Sequence, residues 1–376
     1  MSDPAGTRRI QSIDIVRGAV MVLMAIDHVR VYAGVPAGGP TAGIFFTRWI
    51  THFCAPAFAF LAGTSAFLYG RKRAGALGWY LVSRGLLLVA LELTVIRFAW
   101  TFNFDYAQFT LAGVIWMLGW SMVLVAPLVR LPASVVGIIG LGIIFFQQIF
   151  RYPSRLFPEH WRWLWEFIYP GGVDGPKHLS ILYVLVPWIG VMAAGYGFGL
   201  IMLREPEQRR RICLAIGLTA TVAFLAVGGV MLFLAPTPPN AWPWLFRLLN
   251  QQKYPASQLY LLMTLGPTIA LLPLAERASG WFARMLSTFG RVPMFYYLLH
   301  IPLIHVAALT VNFLREGSVH AERYASAPYS YVPPEHRWGL PLLYLVWAIV
   351  IAILYAACRW FAGVKGRGGE GYLRYI

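Results

Sequence analysis

The chain has 376 residues, 59% of them hydrophobic and only 12% charged, and its mean hydropathy is +0.62. Those values exclude a soluble enzyme and describe an integral membrane protein whose first partner is the lipid bilayer. The net charge of +16 does not point to nucleic acid, because Lys and Arg gather at the ends of apolar segments instead of forming one continuous patch.

In chain order, Met1–Arg9 is a short basic start with no small-residue cleavage site after the first apolar run, so the first helix is expected to stay uncleaved. Apolar segments predict helices at 12–33, 45–70, 79–99, 110–129, 133–150, 180–203, 212–235, 257–275, 292–314 and 339–361. The expected fold is all-α: one polytopic membrane domain over 1–376, about ten transmembrane helices, and a flexible Gly-rich tail at 362–376. Arg8–Arg9, Arg71–Lys72–Arg73, Arg204 with Arg209–Arg211, Arg277 with Arg284 and Arg291, and Arg359, Lys365 and Arg367 all fall on one side. The positive-inside rule makes that side cytoplasmic and places both termini there. The long aromatic loops 151–179, 236–256 and 315–338 fall on the other side, where Arg151, Arg155, Arg162, Lys177, Arg247 and Lys253 dilute the charge bias. Cys54, Cys213 and Cys358 have neither disulfide nor metal spacing, the histidines show no zinc pattern, and no metal is expected.

The first helix, SIDIVRGAVMVLMAIDHV, carries Asp14, Arg17, Asp27 and His28. At about 100° per residue, Arg17 and His28 share one stripe and stand about 16 Å apart along the axis. Asp14 lies one turn before Arg17, so the two can pair near hydrocarbon. His28 is close to the outer end, where an imidazole reaches water or substrate and suits a general base. Asp27 is a nearby carboxylate, but adjacent helical residues point apart, so the group that orients the ring is expected on another helix. The plainer alternative makes both residues interfacial caps of a helix end.

Further polar groups punctuate the later segments. His52 opens the second helix in WITHFCAPAFAF and converges with His28 if the first two helices are neighbours. Glu92 sits mid-way along the third helix and must find a partner, for which Arg17 is a candidate; a buried polar lock without chemistry is the alternative. Arg97 lies five residues on and faces a different neighbour, while Asn103 and Asp105 follow at the outer mouth, where amide and carboxylate suit sugar hydroxyls. In the ninth segment, Tyr296 and His300 share a face, with His300 toward the bundle interior.

The pattern Asp14-x-x-Arg17-Gly18 followed by His28 resembles the Arg-x10-His motif of transmembrane acyltransferases, including acyltransferase family 3. SIDIVRGAVMVLMAIDHVR, FTRWITHFCAPAFAFLAGTSAFL, LELTVIRFAWTFNFDY and FGRVPMFYYLLHIPLIH together resemble more closely bacterial relatives of the heparan-alpha-glucosaminide N-acetyltransferase catalytic domain. The resemblance covers most of 8–361. It implies a multi-pass enzyme of the bacterial inner membrane. Such an enzyme moves an acetyl or other acyl group from cytoplasmic acyl-CoA, its co-substrate, to a hydroxyl or amine of an extracytoplasmic acceptor such as a saccharide. The animal enzyme places its histidine in the loop after the first helix, whereas VYAGVPAGGPTAG has none, so the role passes to His28 with His52 as rival. Arg17 and Arg291 would then hold coenzyme A phosphates. A transporter or exporter of a small polar solute is the rival reading, and a homodimer is left open.

Overall fold

The computed structural model describes residues 10–367, apart from 40, 108, 172–173, 176–178 and 240. The basic start, Lys177 and the tail beyond 367 lie outside the described residues. The first helix, α1 (Gln11–Tyr32), is central: it packs against the helices introduced below as α3, α12, α13, α14 and α15. That position explains how a span with several charges is tolerated, because protein groups surround it on every side.

The chain then runs through α2 (Ala42–Trp49), whose first turn is capped by Thr41 Oγ1 accepting from the Ile44 amide, into α3 (Cys54–Gly70). A tight turn at Ile50–Phe53 separates the two. Pro56 is the physical reason: it has no N–H and its ring crowds the carbonyl four residues back, at His52. That carbonyl accepts instead from the Tyr260 hydroxyl at 2.7 Å. Next, α4 (Leu77–Leu91) continues through one π-turn, Glu92–Ile96, into α5 (Arg97–Thr101).

The following elements are α6 (Val114–Val125), α7 (Ala133–Phe146), α8 (Glu159–Glu166), α9 (Leu185–Met202), α10 (Pro206–Leu234) and α11 (Trp244–Leu249). The last four are α12 (Gln258–Arg277), α13 (Gly280–Arg291), α14 (Pro293–Glu316) and α15 (Leu340–Arg367). At the end of the bundle where α1 finishes, β1 (Thr110–Ala112) pairs in parallel with β3 (Leu179–Ile181), and β2 (Asp174–Gly175) runs antiparallel to β3.

Every predicted segment contains a helix, but the edges differ. Residues 110–112 and 180–181, expected as helix starts, lie in strands, because a short apolar run reads the same in either conformation until it meets a pairing partner. The tail expected from 362 is helical to Arg367, and α13 is a helix that hydropathy does not flag. Seven helices among the described residues are long and apolar enough to cross a membrane, against about ten expected. Of the others, α1 is too charged, α4 and α5 are split by the π-turn, and α6 has 12 residues, roughly 18 Å of rise.

Close backbone contacts fix the central helices. A Cβ at Gly18 would sit 1.9 Å from the Leu286 carbonyl oxygen, and one at Gly290 would sit 1.9 Å from that of Asp14, so α1 and α13 meet through glycines. By contrast, α10 leaves Leu218, Val222, Leu225, Val230 and Phe233 exposed, an apolar face suited to lipid.

Candidate active site

His28 of α1 faces α14, and the pairing at that contact assigns protons. His28 Nδ1 is 2.8 Å from His300 Nε2, and His300 Nδ1 is 2.6 Å from the Tyr297 carbonyl. A carbonyl only accepts, so His300 Nδ1 carries the hydrogen and the neutral ring offers a lone pair at Nε2. His28 Nδ1 therefore donates, and His28 Nε2 is left as the basic atom. The His28 ring stacks on His300 at 4.9 Å and meets Trp100 edge-on at 4.8 Å, which fixes its orientation.

His28 lines a cavity of about 100 Å³ together with Asp27, Thr51, Glu92, Tyr183, Lys253 and Tyr254. Asp27 shares this cavity but is not the partner of His28; its carboxylate takes Arg30 Nε at 2.9 Å, one turn along the helix. Lys253, from the loop between α11 and α12, places its ammonium 5.1 Å from the Tyr254 ring centre and 5.8 Å from that of Tyr183. Burial opposes the lysine charge, but Tyr254 and Asp27 outweigh it and hold the pKa above the ordinary lysine value. Lys253 thus brings a basic side chain to the cavity wall.

A second cavity, about 170 Å³, lies toward the end where α1 begins. Arg17, Ser65, Tyr80 and Arg84 give it polar groups, and Met21, Leu88, Ile115, Leu118 and Met122 give it apolar walls. Arg17 is fixed there: Nη2 donates to Ser65 Oγ at 2.6 Å, Nη1 donates to the Gly290 carbonyl at 3.2 Å, and the Asp14 carboxylate is 3.5 Å away. The two cavities share Phe58, Val114 and Tyr297 in their walls, so they stand back to back across one partition.

The remaining sequence candidates are placed otherwise. Glu92 does not meet Arg17. Its Oε2 accepts from the Ile115 and Trp116 amides at 2.9 and 3.1 Å, capping α6 from the π-turn of the preceding helix. Gly113 leaves the carboxylate room, since a Cβ there would lie 2.5 Å from Glu92 Oε1. Arg97 is buried and spends its donors on the segment after α5, bonding the Phe109 and Asp105 carbonyls at 3.1 and 2.6 Å and Asn103 Oδ1 at 3.0 Å. Asn103 Nδ2 donates to the Ala325 carbonyl at 3.1 Å, and Asp105 is exposed with Oδ1 accepting from Ala107 N at 3.2 Å. None of these three lines either cavity.

His52 is buried beside Tyr260; among the described residues its ring nitrogens have no hydrogen-bond partner, and it neither lines the two cavities nor meets His28. Tyr296 bonds the Met21 carbonyl at 2.9 Å and ties α14 to α1, whereas its neighbour Tyr297 lines both cavities. Arg291 is exposed at the end of α13 and lines neither. Sequence reasoning missed Lys253, whose signal was a lone cation between the aromatic residues of two apolar segments. It also missed Tyr297, which periodicity cannot separate from Tyr296.

Among the described residues, no group of three or more His, Cys, Asp or Glu side chains could hold a metal ion. The family described as heparan-alpha-glucosaminide N-acetyltransferase, catalytic, matches residues 9–238. No curated protein matches the chain. The family match ends before Lys253 and His300, so those residues rest on geometry alone.

Proposed function

The chain belongs to the heparan-alpha-glucosaminide N-acetyltransferase catalytic family, a family of membrane acetyltransferases, and from that premise we propose the route of the transferred group. The donor is acyl-CoA. It enters the larger cavity from the cytoplasmic end, its phosphates drawn to Arg84 and Arg17, with the pantetheine arm along the apolar wall. The acceptor, a hydroxyl or amine of an extracytoplasmic saccharide, enters the smaller cavity. In this reading α1, α4 with α5, and α6 also cross the bilayer, and both termini are cytoplasmic.

The observation that carries the proposal is the fixed tautomer of His28 at the side of the smaller cavity. His28 Nε2 takes the acceptor proton as the acceptor attacks the thioester carbonyl. The C–S bond then breaks, and the coenzyme A thiolate recovers the proton from His28 Nε2. Through this sequence His300 holds the ring and is a positioning residue. The Lys253 ammonium faces the negative charge that develops on the carbonyl oxygen. Asp27, paired with Arg30, sets the polarity of the acceptor cavity.

The test is radiolabelled acetyl-CoA with the purified full chain in lipid vesicles, wild type against His28→Ala. Label on a saccharide, with the variant slower by about 10²–10⁴-fold, is the expected result. Retained turnover in the variant removes His28 from the mechanism. Vesicle uptake of label without a covalent product establishes transport instead.

A further inference from the structure

We infer that the partition formed by Phe58, Val114 and Tyr297 is an acyl-length filter that admits short acyl groups to His28 and rejects long ones. The inference rests on the transferase reading above. The donor cavity and the His28 cavity have these three side chains in common, each from a different helix: α3, α6 and α14. A thioester that brings its carbonyl to His28 must therefore cross there.

The crossing is held in shape because its three helices are fixed independently. A Cβ at Gly63 on α3 would lie 1.9 Å from the Met192 carbonyl oxygen, so α3 and α9 are in backbone contact. The start of α6, where Val114 stands, is capped by Glu92 through the next two amides. Tyr296 anchors α14 to α1 one residue before Tyr297. Interiors packed in this way resist a change of even one methylene.

Beyond the partition there is little space for a chain. The His28 cavity is about 100 Å³, it is walled by Trp100, Tyr183 and Tyr254, and it must also admit the attacking group of the acceptor. The larger, apolar space lies on the donor side, where the pantetheine arm would already be. An acetyl group fits the far side, whereas a long acyl tail must either occupy the space the acceptor needs or fold back through the partition. Phe58 is the residue best placed to block that path, because its ring is half-buried between the two spaces and its side chain has no polar bond to keep.

The experiment measures free thiol released from acetyl-, butyryl- and octanoyl-CoA by the purified full chain, with glucosamine as acceptor and water as background. Wild type is expected to prefer acetyl-CoA. Phe58→Ala should raise the octanoyl-to-acetyl rate ratio at least about tenfold, and Val114→Phe should lower the butyryl-to-acetyl ratio by about tenfold, the scale of a methylene or more in a fitted pocket. Phe58→Leu removes less volume and should shift the ratio in the same direction, so it serves if the alanine variant does not fold. Acetyl transfer with the same length preference in wild type and in the folded variants overturns the filter alone. Thiol release from none of the donors by wild type overturns the transferase reading, and the filter with it.

Discussion

Replacing His300 by alanine isolates the contribution of orientation from that of the base itself. In the wild type the Tyr297 carbonyl fixes the proton on His300 Nδ1, and His300 Nε2 fixes the proton on His28 Nδ1, at 2.6 and 2.8 Å. A hydrogen bond between buried neutral groups contributes about 1 kcal/mol net, which corresponds to about a fivefold change in rate. The alanine also removes the ring stacked on His28, so the imidazole gains rotational freedom and part of the base contribution, at most about 10²–10⁴-fold, is lost as well. The expected fall in kcat is about 10- to 100-fold, and KM for acyl-CoA should not change, because His300 lines neither cavity. His300→Gln offers an oxygen acceptor to His28 Nδ1 and should recover part of the lost rate. The assay is steady-state thiol release, with thermal unfolding run in parallel to separate misfolding from loss of catalysis. A folded His300→Ala protein with kcat within twofold of wild type, or no difference between the alanine and glutamine variants, would refute the relay.

Lys253→Met should lower kcat by about 10²–10³-fold with donor KM unchanged, as expected of a group that meets charge only in the transition state; a change confined to KM would make it a binding residue instead. Arg84→Ala should raise KM for acetyl-CoA with little effect on kcat, and equal KM values would remove it from the donor site. Arg17→Ala should raise KM too, and because it also loses the bonds to Ser65 and Gly290, its melting temperature should fall. Glu92→Ala leaves the Ile115 and Trp116 amides without their acceptor and should cost about 2 kcal/mol, while Glu92→Gln, which keeps an oxygen there, should cost less. Chemical denaturation of the two variants provides the comparison, and equal losses would argue against the cap.

The linear order of apolar runs was enough to fix the class of the protein, because a chain this hydrophobic has to satisfy its backbone within helices wherever it meets lipid. The same pattern marked α1 as exceptional, since Asp14, Arg17, Asp27 and His28 have no reason to occupy a lipid-facing helix. Helical periodicity also put His300 on an inward face. What periodicity could not supply was the partner across each contact. His28 met His300, from a residue 272 positions away, and not His52 or Asp27; Glu92 met two amides of α6, and not Arg17. Those choices depend on how α1 seats against α13 and α14 through Gly18, Gly290 and Tyr296, and on the start of α6 lying against Glu92, where Gly113 leaves the carboxylate room. Lys253 entered the cavity for a similar reason: a loop cation is directed by the helices on either side of it, and its own neighbours in the chain say nothing of that direction. Local composition determined which segments leave water, whereas the juxtaposition of side chains distant in the chain, set by backbone contacts at single glycines, decided which of them share a cavity.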